Sequence, residues 1–165
     1  MKAAKVKLVG VWMQDWVGEH WFPEGSRLLW NWKLNREWYD DWDRMVDDWA
    51  TDGVRPLIYF NPYIANLTDI KGPASNQFKE GVENDYFVKN KDGEVYMIAS
   101  ISIEFAMVDF TNPAAAKWFG DILASNGVEE AKAIGWMHDF GEYLPLDAVL
   151  YDGSDPKEAH NKYPE

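Results

Sequence analysis

Four short apolar runs, each followed at once by polar side chains, constrain this chain of 165 residues more than any other feature. The first polar residues after the runs are Gln14, Asn61, Asp109 and His138. Strands that are buried on both faces have continuous apolar sequences, a pattern that suits a parallel sheet. We therefore predict adjacent parallel strands at residues 7–13, 56–60 and 134–138. A shorter element is expected nearby at residues 107–110.

The segments between these runs have helical periodicity. Apolar side chains recur at helical spacing from Trp38 to Trp49, and aspartates occupy the opposite face. That acidic face is interpreted as solvated rather than as a metal site. A later helix is predicted to begin with Asn112 as its cap and Pro113 in its first turn, and to break or end near Gly127.

Residues 61–105 interrupt this alternation of strands and helices. A short helix is predicted over residues 76–86. Two β-rich stretches then flank Asp92-Gly93, a dipeptide typical of a hairpin turn. An insertion between the elements of a barrel normally lies at the active-site face, so this segment is expected to shape the mouth of a pocket.

Composition excludes several classes of function. A net charge of −12 disfavours nucleic acid and anionic membranes as partners. The sequence has no apolar stretch long enough to span a bilayer, and residues 1–5 lead into a predicted strand rather than a signal peptide. Without cysteine there is neither a disulfide scaffold nor a thiolate nucleophile. We expect a soluble protein; the cytoplasm is slightly favoured, and the compartment stays unassigned.

Asp139 is the most informative candidate for catalysis. Barrel enzymes keep their catalytic groups at the carboxyl ends of buried parallel strands, where Asp139 is predicted to lie. Aspartate also caps helices and forms turns, so its position alone does not decide between the two roles. Asp139-Phe140-Gly141 matches the metal-binding triplet of protein kinases. The other kinase motifs are missing from the sequence, so this match is interpreted as chance.

Metal and cofactor sites are not expected. His20, His138 and His160 lack the spacing of metal ligands, and there is no cysteine cluster. No glycine-rich loop follows a predicted strand in the way that phosphate binding requires.

The aromatic content is unusual, with 10 Trp, 8 Tyr and 8 Phe. Six tryptophans cluster near predicted strand ends and in the first loop: Trp12, Trp16, Trp21, Trp30, Trp32 and Trp136. Indole rings pack on the apolar faces of sugars, and their N–H groups donate hydrogen bonds. Together with carboxylates at strand ends, these rings indicate a carbohydrate pocket, although core packing explains any one of them individually.

Five segments in a fixed order resemble glycoside hydrolase family 31, and more narrowly its sulfoquinovosidases, which release sulfoquinovose from sulfolipid-derived glycosides. The segments are residues 10–16, 25–32, 61–63, 108–113 and 135–145. The resemblance covers nearly the whole chain. It implies an α/β fold in which residues 1–165 form roughly the first half of a (β/α)8 TIM barrel, with an inserted hairpin-containing segment at about residues 61–105. The activity that it implies is that of a retaining α-glycosidase.

The resemblance also implies roles for individual residues. Asp139 falls on the family's nucleophile, which forms a glycosyl ester. Gln14, Arg27 and Trp30 coincide with residues that bind the sulfonate of the sugar. This set suits an anion that is always ionised, because Arg supplies a permanent charge and a fork of donors while the other two supply N–H groups. The family's α-glucosidases generally have a carboxylate near the position of Gln14, and a carboxylate would repel sulfonate.

Three further residues are expected to support the site: Asp15, His138 and Glu142. A retaining enzyme also needs an acid/base carboxyl about 5–5.5 Å from the nucleophile. In the family that residue lies several tens of positions after the nucleophile, and residues 140–165 contain no match. We therefore expect the acid/base, the later strands and the family's N-terminal β-sandwich to lie outside this chain, and the isolated chain to be inactive.

The expected ligand is a small carbohydrate, a sulfoquinovoside. A half-barrel leaves two sheet edges open, so the remainder of the barrel or a second copy of the chain is an expected partner. Two alternative functions stay open at this point. One is a non-catalytic sulfosugar-binding module, and the other is an α-glucosidase of the same family.

Overall fold

The structure, a computed structural model, describes residues 6–68, 70, 76–100 and 103–163. Helices separate groups of one to three strands along the chain. The strands are β1 Gly10–Met13, β2 Glu19–Phe22, β3 Gly25–Leu28, β4 Arg55–Phe60, β5 Tyr63–Ala65, β6 Met97–Ser100, β7 Ile103–Met107 and β8 Trp136–His138. The helices are α1 Trp42–Thr51, α2 Gln77–Glu83, α3 Pro113–Ile122 with a π-helical continuation Leu123–Glu130, and α4 Pro156–Lys162.

A three-stranded parallel sheet positions the site. Its strand order is β1-β4-β8, with β4 in the centre. Met13 aligns with Ile58 across one pair of strands, and Ile58 aligns with Trp136 across the other. The prediction of adjacent parallel strands at residues 7–13, 56–60 and 134–138 is confirmed, although the observed strands at both edges are shorter.

The fourth apolar run belongs to a different sheet: it ends in β7, Ile103–Met107, whereas the shorter element was expected at residues 107–110. β7 lies between β5 and β6 and is antiparallel to both. Asp109, which follows it, is buried and accepts hydrogen bonds from Thr111 Oγ1 at 2.6 Å and from the backbone N–H of Tyr151 at 2.8 Å. An apolar run reports burial on both faces but carries no information about strand direction.

Helices α1 and α3 pack against β4, the central strand of the parallel sheet. Ile58 and Phe60 of β4 are fully buried, and the ring of Phe119 in α3 lies 6.3 Å from that of Phe60. Asn112 caps α3 by accepting a hydrogen bond from the N–H of Ala114, as predicted. The predicted break near Gly127 is a change of helix type, since the chain continues there in π-helical form.

The first helix begins later than its periodicity predicts. Residues 36–38 form a turn, because the side-chain oxygen of Asn35 accepts hydrogen bonds from the N–H groups of Glu37 and Trp38, both at 3.0 Å. Such local bonds compete with helix formation. Within α1, Trp42 and Val46 are buried, and the aspartate face is exposed as expected.

The insertion is only partly regular. α2 lies within the predicted 76–86 segment. The turn at Asp92-Gly93 is present, but the stretches that flank it form one isolated bridge, between Lys89 and Val95, instead of a regular hairpin. The second stretch passes into β6, which pairs with β7. Residues 69, 71–75 and 101–102 of the insertion lie outside the described residues.

Gly81 of α2 provides a test of this packing. A Cβ atom on Gly81 would lie 2.3 Å from Cζ of Phe87, whose ring is buried and stacks on Phe78. We expect Gly81→Ala to lower the free energy of unfolding by about 1–3 kcal/mol through overpacking. The matched control is Gly120→Ala in α3, where a Cβ meets nothing within 4 Å. That variant should be stabilised by roughly 0.5–1 kcal/mol. Denaturant unfolding measures the free energy of unfolding of both variants. Equal changes in the two variants would contradict the close approach of Gly81 to the ring of Phe87.

Candidate active site

A cavity of about 350 Å³ opens at the carboxyl ends of the parallel strands. Gln14 follows β1 and Asp139 follows β8, and both line it, so the prediction that they share one end of the sheet is confirmed. The complete lining is Gln14, Glu19, Ser26, Arg27, Leu28, Trp30, Tyr59, Ile103, Asp139 and Phe140. The cavity therefore contains all four residues assigned above to the nucleophile and the sulfonate.

Asp139 is held by the central strand. Its backbone N–H donates to the carbonyl of Phe60 at 2.9 Å, which extends the pairing of β8 with β4 by one residue. Its carboxylate Oδ2 accepts a hydrogen bond from Tyr59 Oη at 2.9 Å, and Tyr59 Oη accepts one from Asn61 Nδ2 at 3.2 Å. Burial raises the pKa of Tyr59, and the bond to Asp139 adds to the rise, so the phenol remains a donor. One carboxylate oxygen is thus fixed by a neutral group.

A two-stranded antiparallel hairpin, β2 and β3, forms a second wall of the cavity. Glu19 aligns with Leu28 across the hairpin, and His20 aligns with Arg27. Arg27 Nη1 donates to the carbonyl of Ser26 at 2.7 Å. Within the described part of the chain this neutral carbonyl is the hydrogen-bond acceptor seen for the guanidinium, which has five N–H donors in all.

Trp30 connects this wall to the layer of aromatic rings beneath the cavity. Its ring lies 4.9 Å from that of Phe105, 5.4 Å from that of Tyr63 and 6.0 Å from that of Phe140, measured between centroids. Its indole Nε1 is buried and has no hydrogen-bond partner among the described residues.

The three residues expected to support the site lie around the cavity but do not line it. Asp15 accepts a 2.6 Å hydrogen bond from the Oη of Tyr39, which lies in the segment before α1. Glu142 is exposed, and its charge contributes to raised pKa values at Tyr59 and Tyr63. Partial desolvation lowers the pKa of His138, and the neighbouring Asp139 carboxylate opposes that shift.

Of the six tryptophans predicted to lie near a carbohydrate pocket, one lines the cavity. Trp16 and Trp32 are core residues, and their indole N–H groups donate to the carbonyls of Tyr59 and Tyr63 at 2.9 Å and 2.8 Å. Trp12, Trp21 and Trp136 are exposed and do not line the cavity. Only Trp30 does.

Sequence reasoning missed the other lining residues, of which Tyr59 and Glu19 carry the most chemistry. Tyr59 lies in β4 and Asn61 directly follows that strand, so the alternation of side chains places both on the same face of the sheet. This alternation could have identified Tyr59 as a candidate site residue from the sequence. Glu19 reaches the cavity because β2 pairs with β3. The first loop contains no dipeptide such as Asn-Gly or Asp-Gly that would have predicted this hairpin.

The described residues include no cluster of three or more His, Asp or Glu side chains arranged to hold a metal ion. In the same part of the chain no helix has both the length and the apolar character needed to cross a membrane.

Comparison with known proteins assigns the fold to a family. The family model of the glycosyl hydrolases family 31 TIM-barrel domain matches residues 1–165. The chain therefore belongs to glycoside hydrolase family 31, and its parallel strands are part of a (β/α)8 barrel that is not closed within the described residues.

The chain is also similar to individual proteins of known activity. The chain is 37% identical over 164 residues to the sulfoquinovosidase of Escherichia coli (strain K12), and also to that of Agrobacterium fabrum. Each match covers 99% of this chain, but only 23% and 24% of the respective relative. The solved structure of a family 31 sulfoquinovosidase from E. rectale, in complex with the aza-sugar inhibitor IFGSQ, superposes with a TM-score of 0.84 at 38% identity. It covers 96% of this chain and 23% of that one. The chain thus spans about a quarter of the length of these relatives.

Proposed function

We propose that this chain contributes the nucleophile and the sulfonate-binding residues of a retaining α-glycosidase that hydrolyses α-sulfoquinovosides. One observation carries the proposal. Asp139, Arg27, Gln14 and Trp30 line a single cavity at the carboxyl ends of the parallel strands. The likeness to two sulfoquinovosidases at 37% identity supports the same substrate class.

Asp139 acts as the nucleophile in this proposal. One carboxylate oxygen attacks the anomeric carbon and forms a glycosyl ester, while the bond from that carbon to the aglycone oxygen breaks. The leaving oxygen takes a proton from an acid/base carboxyl. Water then attacks the same carbon, releases Asp139 and returns the proton, so the sugar leaves with its original anomeric configuration. The bond from Tyr59 to Oδ2 fixes the rotation of the carboxylate, which presents the other oxygen to the substrate.

Arg27, Gln14 and Trp30 bind the sulfonate. A sulfonate is ionised at every physiological pH and offers three acceptor oxygens, so a permanent cation with a planar fork of donors is a suitable partner. Gln14 adds an amide N–H, and Trp30 adds an indole N–H that lacks a partner within the protein. A neutral sugar offers Arg27 no charge with which to pair.

Hydrolysis by the intact protein tests this function. We expect an aryl α-sulfoquinovoside to be cleaved with a much higher kcat/KM than the matching α-glucoside, and NMR to show the α-anomer of sulfoquinovose as the first product. Preference for the glucoside would indicate an α-glucosidase instead. Saturable binding of sulfoquinovose without turnover of either glycoside would indicate a sugar-binding module.

A further inference from the structure

The Tyr59 hydroxyl has one proton and two lone pairs, so its neighbours decide where the proton points. Among the described residues it bonds to Asp139 Oδ2 at 2.9 Å and to Asn61 Nδ2 at 3.2 Å. The rest of Tyr59 is already held. Its carbonyl accepts from Trp16 Nε1 at 2.9 Å, and its ring lies 6.2 Å from that of Trp32 between centroids. The rotation of the hydroxyl therefore depends on its two polar neighbours.

Asn61 decides that rotation because its own amide faces one way. It follows β4 directly and is fully buried. Its Oδ1 accepts the backbone N–H of Tyr63 at 3.0 Å, the bond by which an asparagine side chain closes a turn onto the backbone two positions on. With the oxygen turned to that N–H, the amide nitrogen faces Tyr59. A reversed amide would place N–H against N–H and would offer Tyr59 an acceptor that competes with Asp139.

The Tyr59 proton is thereby directed to the carboxylate of Asp139. Burial raises the pKa of Tyr59, and the bond from Asn61 opposes that rise, as a donor to the phenolic oxygen does. The bond to Asp139 acts in the other direction, as an acceptor of the phenolic proton does. The hydrogen bonds thus run in one sense, from the backbone of β5 to the carboxylate.

Asn61 is not among the side chains that line the cavity, so its effect on the chemistry passes through Tyr59. We infer that Asn61 is a positioning residue for the nucleophile, whose amide directs the Tyr59 proton to Asp139. This inference rests on the proposed function, because that function makes Asp139 the nucleophile. With Oδ2 held, the carboxylate keeps one rotation, and attack on the anomeric carbon depends on such alignment.

Asn61→Ser in the intact protein tests the inference. A serine hydroxyl closes the same kind of turn onto the N–H two positions on, more weakly, but it has no amide donor for Tyr59. We expect kcat to fall on the order of tenfold with KM nearly unchanged, because misalignment of a reacting group lowers the rate and not the binding. The fall should be equal for the aryl sulfoquinovoside and the matching glucoside, since Asp139 attacks the same carbon in both.

A double-mutant cycle with Tyr59→Phe separates positioning from a structural role. Tyr59→Phe removes the hydroxyl through which Asn61 acts, and it should itself lower kcat on the order of tenfold. In the Tyr59→Phe background, Asn61→Ser should then lower kcat no further. Two losses that simply multiply would show that Asn61 acts independently of Tyr59.

Asn35→Ser is the matched control. Asn35 is also buried, and its Oδ1 accepts the N–H of Glu37, two positions on, at 3.0 Å. It is not part of the cavity lining. Its substitution weakens the same kind of turn, so the melting temperature should fall as in Asn61→Ser, whereas kcat should stay at the wild-type value.

Three results would overturn the inference: a folded Asn61→Ser variant with wild-type kcat, independent losses in the cycle, or a larger loss on the sulfoquinovoside than on the glucoside. If Asn61→Ser does not fold, Asn61→Asp takes its place under the same criteria, because it keeps the size and the turn acceptor but removes the amide donor. Failure of both variants to fold would make Asn61 a structural residue. The proposed function fails separately, if the wild-type protein does not prefer the sulfoquinovoside.

Discussion

Asp139→Asn in the intact protein is expected to reduce kcat on every glycoside substrate by a factor on the order of 10⁴ or more, the size of loss seen when a covalent nucleophile is removed. An amide does not form the glycosyl ester. The fold should be unaffected, because the Asn side-chain oxygen still accepts the hydrogen bond that Tyr59 donates to Asp139. Steady-state kinetics gives the rate, and titration with sulfoquinovose should show that binding persists.

Asp147→Asn is the matched control. Asp147 is an exposed carboxylate on the segment that follows Asp139, and it accepts a 2.9 Å hydrogen bond from Tyr96 Oη outside the cavity. Its substitution should leave kcat near the wild-type value. If Asp139→Asn kept its rate within about tenfold of wild type, the loss would be far too small for a nucleophile. Asp139 would then have to be reassigned to substrate positioning.

Arg27→Lys should change substrate choice rather than overall activity. Lysine keeps the charge but not the planar fork of donors. Each charge-assisted bond lost should weaken recognition of the sulfoquinovoside by about 1.5–3 kcal/mol, which is about tenfold or more in kcat/KM. A glucoside makes no such bond, so its rate should change little. The decisive quantity is the ratio of the two kcat/KM values in wild type and variant.

Arg44→Lys controls for the generic effect of this substitution. Arg44 is exposed on α1 and pairs with Asp41, away from the cavity. The ratio of the two kcat/KM values should be unchanged in this variant. If Arg27→Lys reduced both substrates equally, Arg27 would be holding the hairpin in place, and its assignment to the sulfonate would have to be withdrawn.

The parallel sheet was predictable from sequence because burial on both faces leaves a continuous apolar run, and polar residues mark the end of each strand. Gln14 and Asp139 are 125 positions apart. Their convergence nevertheless follows from that pattern, since parallel strands bring their carboxyl ends together. The antiparallel direction of β7 could not be predicted in this way. Pairing direction depends on the path of residues 61–105, which the apolar pattern does not encode.

The candidate site was predictable only in part for a similar reason. Arg27 and Trp30 were predicted from the resemblance to the family. No local sequence pattern distinguishes this arginine from an ordinary surface charge or this tryptophan from an ordinary core residue. Tyr59 was hidden among apolar neighbours, because the sequence shows a tyrosine but not which partner its hydroxyl finds. The hydrogen bond from Tyr59 to Asp139 depends on a contact between distant segments.

The hairpin of β2 and β3 allows substrate recognition to change during evolution while the catalytic chemistry stays the same. Among the described residues, the paired strands Glu19–Phe22 and Gly25–Leu28 form their own two-stranded sheet, while Asp139 follows a strand of the parallel sheet. Under the proposed assignment, Arg27 lies on the former and the nucleophile follows the latter. Substitutions or length changes within residues 19–28 can therefore alter which head group is accepted without shifting the register that places Asp139. Selection for a new substrate can act on this hairpin while the reactive carboxylate is inherited unchanged.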